Sequence, residues 1–529
     1  MANTLKFGNG EWYGKKDTIL AYNDENSNYK PLLFDFSRAS KATRVNKDGL
    51  IEEVGSGQPR VDYLNNTKGA MLLEPSRTNL ITQSESFPNS YWTKSGASIQ
   101  ADPSTAGSEL ITNGGFDTDS DWNKGTGWTI SGGKASSDGS QTSGSYLSQG
   151  LSGVSQNKQY ITEFDIVVTS GSFRFNTLGG NLIVTESGNY TITSISTSGT
   201  SLFLEAFSDF VGSIDNVSVK EVQGFTSPDG TNNAYKLVEG TNNGNHLIYS
   251  AFVSGSSGNN YTTSFFVKAA ERTWCKILNY GGTQVFFDLE NGVVGTETNA
   301  SGKIEALSND WYKISMTYVS QSSERAYLYI AEDDNDNSYQ GDGTSGIYVF
   351  GSQVEAGSYS TSLIKTQGTI QTRLADSCNN GGNDQVINST EGVLYTEINL
   401  IYNQSGRYIT LGDGTSNNRI IIGAEGGTNR IVFYVIVGGN VQCLIPYILS
   451  DINAFYKIAI KYKQNDFALW VNGIEVGTDT SGSTLASNTL SKLVFNGGTG
   501  TSNFYGKTKD VRVYNTALTD SELQALTQV

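Results

Sequence analysis

The sequence predicts an all-β protein built from several β-sandwiches, one of them inserted in another, and three observations carry that prediction. The composition holds 60 Gly against 3 Met and 7 Pro. Long Ser, Thr and Asn runs separate short aromatic and β-branched segments, the profile of turn-rich sheet architecture with little helix. Along those segments apolar and polar residues alternate with the period of two that half-buried strands require. Whole strand sets also recur: YITEFDIVVTSGSFRFNTLGG (160–180) has the pattern of YTTSFFVKAAERTWCKILNYGG (261–282). Each is a Tyr-led strand, a polar turn, a second strand and a Gly-Gly pair.

Residues 1–79 contain short runs such as LLFDF, TRV and LIEEV, each too brief for a sandwich of its own. They read as an extended segment that packs on something else. Arg38, Lys41, Arg44 and Lys47, interleaved with Phe34, Phe36, Val45 and Leu50, read as an assembly surface for an acidic partner.

From residue 80 the strands become regular. SESFPNSYWTKSGAS (84–98) opens one sandwich, and NGGFDTDSDWNKGTGWTIS (113–131) opens another before the first has closed. The second runs through a complete strand set to GSIDNVSVKEV (212–222), and FTSPDGTNNAYKLVEG (225–240) then resumes the first. The expected organisation is an outer sandwich of residues 80–107 plus 223–376 with a guest of residues 108–222. Loop tips accept such guests because closure entropy grows slowly with length. SCNNGGNDQ starts a polar linker over 377–389. Residues 390–529 alternate again, and Thr519 and Glu522 have capping-box spacing before Leu523 and Leu526, which predicts one short closing helix.

The formal net charge of −16 argues against a nucleic-acid partner, since phosphate backbones would be repelled. No apolar stretch of about 18 residues occurs, and the start MANTLKFGNGEWYGKK has no apolar signal core, so neither membrane insertion nor export by its own signal is expected. Cys275, Cys378 and Cys443 are odd in number and widely spaced, which fits neither a disulfide framework nor a zinc site. They read as incidental thiols of a chain made in a reducing cytosol.

Catalytic signals are sparse. His246 is the one histidine, and its surroundings, GNHLIYS, contain no nucleophile elbow, so a structural role is expected. A glycosidase needs two carboxylates alone, and a polysaccharide depolymerase stays open as the enzymatic alternative, but no β-helical repeat accompanies it. Sugar recognition needs aromatic planes for pyranose faces with polar groups for the hydroxyls. Trp122, Trp128, Trp274, Tyr280 and Tyr339 are the candidates. Trp92, Trp311 and Trp470 sit in alternating strands and are expected in the core. The loop AEDDNDNSYQGDG (331–343) brings Asp333, Asp334, Asp336 and Asp342 together, either as oxygen donors for Ca²⁺ or as a solvated hairpin tip.

Four blocks, FDFSRASKATRVNKDGLIEEV, PRVDYLN, GAMLLEPSRTNLITQSESF and FGSQVEAGSYSTSLIKTQGTIQTRLAD, resemble the framework of bacteriophage fibre and spike proteins with carbohydrate-binding sandwiches. The resemblance covers residues 34–107 and 225–376. The guest is similar to jelly-roll carbohydrate-binding modules. Residues 390–529, with FALWVNGIEV and FYGKTKDVRVYNTALTDSEL, are similar to the concanavalin A-like or laminin-G-like lectin fold. The resemblance implies a virion fibre or spike, on head or tail, that is made in the host cytoplasm and adheres to bacterial surface glycans. It also implies a homotrimer joined to capsid, tail or baseplate proteins through the N-terminal segment, with a purely structural decoration as the alternative. No cofactor is required. A structural calcium is implied in the guest, with Asp215 as the closing ligand and Glu109 or Asp117 as the opening one.

Overall fold

Strand Gly506–Tyr514 has partners on both edges, Glu391–Asn399 on one side and Leu5–Gly8 on the other, so the two ends of the chain meet in one sheet. The computed structural model describes residues 2–23, 30–156, 158–196, 199–402, 404–425 and 429–529. Within them this sheet runs Ser377–Asn379, Lys30–Ser37, Thr18–Asn23, Leu5–Gly8, Gly506–Tyr514, Glu391–Asn399, Tyr456–Lys463, Phe467–Val471 and Ile474–Asp479. A second sheet, from Asn440–Ile448 through Arg430–Val437, Arg419–Ala424 and Arg407–Gly412 to Lys492–Val494, packs over it.

The N-terminal segment forms strands that pack into another unit. Leu5, Phe7, Ile19, Ala21, Phe34 and Phe36 alternate onto one face and are buried in the C-terminal core. The rings of Phe7 and Phe34 lie 5.9 and 6.3 Å from that of Phe495. Three strands that cannot bury an apolar face alone complete the sheet edge of another unit. Residues 377–389 are not a bare linker. Ser377–Asn379 pairs with Lys30–Ser37, and Cys378, Val386 and Ile387 are buried in the same core.

A buried ionic cluster ties these pieces together. Arg60 bridges Glu74 and Asp376, Arg38 pairs with Asp376 at 3.1 Å, and Arg373 with Glu74 at 3.0 Å. Burial opposes ionisation of Glu74, but Arg373 and Arg60 outweigh it and hold the carboxyl well below the usual carboxylate range. Ser362 adds backbone and hydroxyl donors at 2.8 and 2.7 Å.

Two further sandwiches occupy residues 80–376. In the first, the sheet Trp92–Ser95, Asn243–Ser250, Tyr327–Ala331, Trp274–Leu278, Gln284–Asp288, Val293–Thr298 packs on the sheet Ala97–Gln100, Asn232–Glu239, Gly346–Ala356, Asn260–Ala269, Tyr312–Val319, Ser301–Ala306. Strands on either side of residues 101–231 are thus neighbours: Ile99 pairs with Leu237. The second sandwich lies between them in sequence. Its sheets are Trp128–Ile130, Ala135–Asp138, Val211–Val222, Gln159–Ser170, Gly188–Ile195 and Asn123–Lys124, Ser145–Gly150, Ser201–Ala206, Phe173–Thr177, Gly180–Val184. Its first strand, Ala106–Glu109, pairs with its last, Ala106 opposite Val222, so its two ends leave side by side. Trp92 and Trp311 are nearly inaccessible and Trp470 is buried. The described residues form one α-helix, Asp520–Thr527, and the Thr519 N–H donates to the Glu522 carboxylate at 2.8 Å.

The hairpin of Ala42–Val45 and Ile51–Val54 covers the outer face of one sheet of the first sandwich, burying Ile51 with Phe266, Phe350 and Leu363. On the opposite sheet, Leu247, Lys276 and Phe286 of the outer face are buried, while Tyr249, Tyr327 and Tyr329 are partly exposed. That part of the face is open to a ligand.

Candidate functional site

On that open sheet, strand alternation sends Ile248, Leu328, Ile277 and Val285 into the core. Their neighbours point outward in register. Tyr249 is opposite Tyr327, which is opposite Leu278; Leu247 is opposite Tyr329, which is opposite Lys276. Cross-strand pairing places the Tyr249 and Tyr327 rings 5.1 Å apart, and Tyr329 is 6.4 Å from Tyr327 along the strand. All three tyrosines are partly exposed.

One end of this row is built by two loops. The short ladder of Val253–Ser254 with Ser323–Glu324 and the bonds between Ser250 and Ala326 fix the chain on both sides of Phe252 and Arg325. The Arg325 guanidinium consequently lies over three rings, 3.7 Å from the centroid of Phe252, 4.7 Å from Tyr249 and 6.0 Å from Tyr327. Tyr280 is 59% exposed on the turn closed by Asn279 and Thr283, where Gly282 takes a φ of +80° that suits glycine. Its ring meets the half-exposed Phe252 edge-on at 4.9 Å. At the other end Lys276 lies 4.1 Å over Tyr329 and donates to Asn337 (2.7 Å) and Gln284 (3.2 Å). Burial pulls the Lys276 ammonium down to about 8.

The face is a row of aromatic planes edged by the Arg325 guanidinium, able to stack pyranose C–H faces and bond hydroxyls. A cleft of about 870 Å³ between the two sandwiches, lined by Pro88, Asn89, Gln100, Gln159, Thr193 and Ser194, contains no aromatic ring. It lacks the stacking component.

Of the aromatic residues singled out by sequence, the structure brings Tyr280 to this row. Trp274 lies half-buried on the same side of the sheet, where a Cβ on Gly295 would come within 2.7 Å of its ring. Trp122, Trp128 and Tyr339 are not binding surfaces. Trp122 packs on Phe116 at 5.1 Å and donates to the Asn113 carbonyl, and Trp128 donates to the Ser145 carbonyl. Both are buried in the core of the inserted sandwich, Trp128 from the strand Trp128–Ile130 and Trp122 from the loop before Asn123–Lys124. Tyr339 is buried with its hydroxyl on Glu239 at 2.8 Å and Arg272 over its ring. Buried His246 meets the carbonyls of Gly96 and Tyr339.

Glu109 and Asp215 are not brought together. Glu109 is opposite Lys220 and Asp215 opposite Asp165 along the same strand. Five residue rises separate them by about 16 Å, too far for one ion whose ligands sit at about 2.5 Å. The Glu109 carboxylate instead accepts from Leu110, Ile111 and Val219 N–H groups and from Ser218. Asp117 lies in the loop between Ala106–Glu109 and Asn123–Lys124. Among the described residues no group of three or more His, Cys, Asp or Glu side chains is placed to hold a metal ion. In the acidic loop, Asp334 accepts from Thr296, and Asp342 from Thr344 and Ser345. The basic quartet is no single surface: Arg38 is buried on Asp376, Lys41 and Arg44 pair with Glu53 and Glu52, and Lys47 is exposed.

Tyr249, Tyr327, Tyr329, Phe252 and Arg325 escape sequence reading. In RAYLYI (325–330) the period of two already separates Arg325, Tyr327 and Tyr329 from Ala326, Leu328 and Ile330. What was missing is the register that puts Tyr249 beside Tyr327.

Residues 395–524 match the family described as the concanavalin A-like lectin/glucanases superfamily, laminin-G type. The match covers a C-terminal part of the chain, and the all-β, multi-sandwich class is as expected. Similar solved structures include the CBM40 of Ruminococcus gnavus IT-sialidase bound to α2,3-sialyllactose, with 16% identity and a TM-score of 0.24, covering 28% of this chain and 93% of that one. The CBM22-1–CBM22-2 tandem of Paenibacillus barcinonensis Xyn10C aligns at 14% identity and a TM-score of 0.16 over 54% of this chain and 100% of its own. Trypanosoma rangeli sialidase in complex with sialic acid aligns at 10% identity and a TM-score of 0.21, over 98% and 97%. No curated protein matches the chain.

Proposed function

We propose that the protein binds glycans, without catalysis, through the aromatic row of the outer sandwich. The observation that carries this reading is the in-register Tyr249–Tyr327 pair, continued by Tyr329 and by the exposed Tyr280. Stacking on such rings is worth roughly 0.5–1.5 kcal/mol per contact beyond burial. Tyr327→Ala is therefore expected to weaken glycan binding about tenfold, measured by calorimetry against hits from a glycan array. An array on which the full chain captures nothing would sink the reading. Reducing-end release from a bound polysaccharide would turn it into the depolymerase reading.

The setting we propose is a bacteriophage particle, with the chain displayed as a fibre or spike that touches the host surface. The four framework blocks support it. Weak sites on several sandwiches, and on several chains of a trimer, would then act together by effective concentration. Immunolabelled electron microscopy of virions tests the placement, and size-exclusion chromatography with light scattering tests the trimer. Unlabelled particles would remove the first, and a monomer the second.

A further inference from the structure

We infer that the aromatic row selects acidic glycans, with the carboxylate of a uronic or sialic acid residue seated on Arg325. This deepens the glycan-binding reading and rests on it. The argument starts from charge. The chain as a whole is strongly acidic, at −16, and most of its arginines are neutralised: Arg60 by Glu74 and Asp376, Arg174 by Glu205, Arg272 by Glu239, Arg512 by Asp510. Arg325 is treated differently. Among the described residues its guanidinium meets no carboxylate and no hydrogen-bond acceptor, and its Nε is shielded from solvent without a partner. What surrounds it is aromatic: Phe252, Tyr249 and Tyr327.

With Nε shielded, the two terminal nitrogens of Arg325 remain the accessible donors, and that end of a guanidinium matches a carboxylate in bidentate geometry. The rings lower the local dielectric and fix the fork before any ligand arrives, so less is lost in ordering it. Lys276, above Tyr329, is the second cation of the row; its bonds go to the neutral amides of Gln284 and Asn337. Arg325 precedes the strand Tyr327–Ala331, and Tyr329 lies four residues further on, about 13 Å along extended chain. Arg325 is thus the accessible cation of the row, with Lys276 buried at its other end. A neutral glycan would leave Arg325 without a counter-charge on the closed face, whereas a carboxylate would satisfy it.

The test uses the full chain and two matched pairs of probes: oligogalacturonate with its carboxyl-reduced form, and sialyllactose with lactose. The expected result is that the acidic member of at least one pair binds roughly tenfold or more tightly than its neutral mate. Arg325→Ala should abolish that preference, and Arg325→Lys should restore only part of it. Added salt should weaken the acidic probe alone. Which pair responds distinguishes a uronate from a sialate ligand. Equal binding of acidic and neutral probes, unchanged in Arg325→Ala, overturns the acidic selectivity while leaving glycan binding intact. If no glycan binds and Arg325→Ala instead abolishes self-association, the face is a contact between copies of the chain, and both readings fall.

Discussion

Two regions of this molecule use arginine in opposite ways. At the junction behind residue 376, Arg60 is fully buried between Glu74 and Asp376, with Arg38 and Arg373 completing the cluster. On the open sheet of the outer sandwich, Arg325 lies on three rings and meets no acid among the described residues. The difference lies in what has been done with the counter-charge. Where the chain supplies its own carboxylates, the ionic group fastens strands remote in sequence. Where it withholds them, the same side chain is left for a ligand.

The largest expected effect breaks the junction. Glu74→Gln leaves Arg60 and Arg373 short of a buried partner, which costs about 3–5 kcal/mol when half of a buried pair is removed. The sign with pH follows from the depressed carboxyl. Glu74 ionises more readily folded than unfolded, so its contribution is complete above the unfolded value of 4.5 and is lost as pH falls below it. Urea unfolding near pH 7 and pH 3 should show wild type losing more stability across that interval than Glu74→Gln. Equal losses would mean that other carboxylates carry the acid response.

A middle case sharpens the comparison. The inserted sandwich presents the equivalent outer sheet face, where Tyr146 and Phe203, 40% and 41% exposed, meet edge-on at 5.8 Å. There Arg174 is opposite Glu205 in register and its Nε donates to that carboxylate at 2.6 Å. The two faces share their aromatic pair but not their charge. Glu205→Gln should uncover Arg174, so adding it to Arg325→Ala should return a few-fold preference for the acidic probes, as expected of a partly exposed cation. No recovery in a folded double variant, checked by circular dichroism, would show that ring placement as well as charge decides selectivity.

Much of the fold was legible because period-two alternation reports burial directly: YLYI and VRVY each declare an inner and an outer face. Pairing partners were not legible. Leu5–Gly8 reads as a strand, yet nothing in its residues says that it joins Gly506–Tyr514, some 500 positions away. The same gap hid the site. Trp122 and Trp128 attracted attention as tryptophans among turn residues, but flanking turns do not say which face a strand turns to solvent. Tyr249 and Tyr327 looked ordinary until register set them side by side. Lone polar signals misled similarly: the Arg38 cation and the Glu109 carboxylate both have partners within the fold.

The smallest expected effect is the most discriminating. If Arg325 is held for a ligand rather than for the fold, Arg325→Ala should change unfolding free energy by no more than about 0.5 kcal/mol, as surface substitutions do. Its ring contacts pull the other way, since a cation over aromatic faces is worth about 0.5–1 kcal/mol at exposed sites. Removing it also relieves an Nε shielded from water without a partner, a cost that offsets part of that gain. The two terms nearly cancel, which is the condition for a residue that selection can keep for binding. A measured loss above about 2 kcal/mol, on the scale of a buried network, would place Arg325 with Arg60, and the distinction between the two regions would disappear.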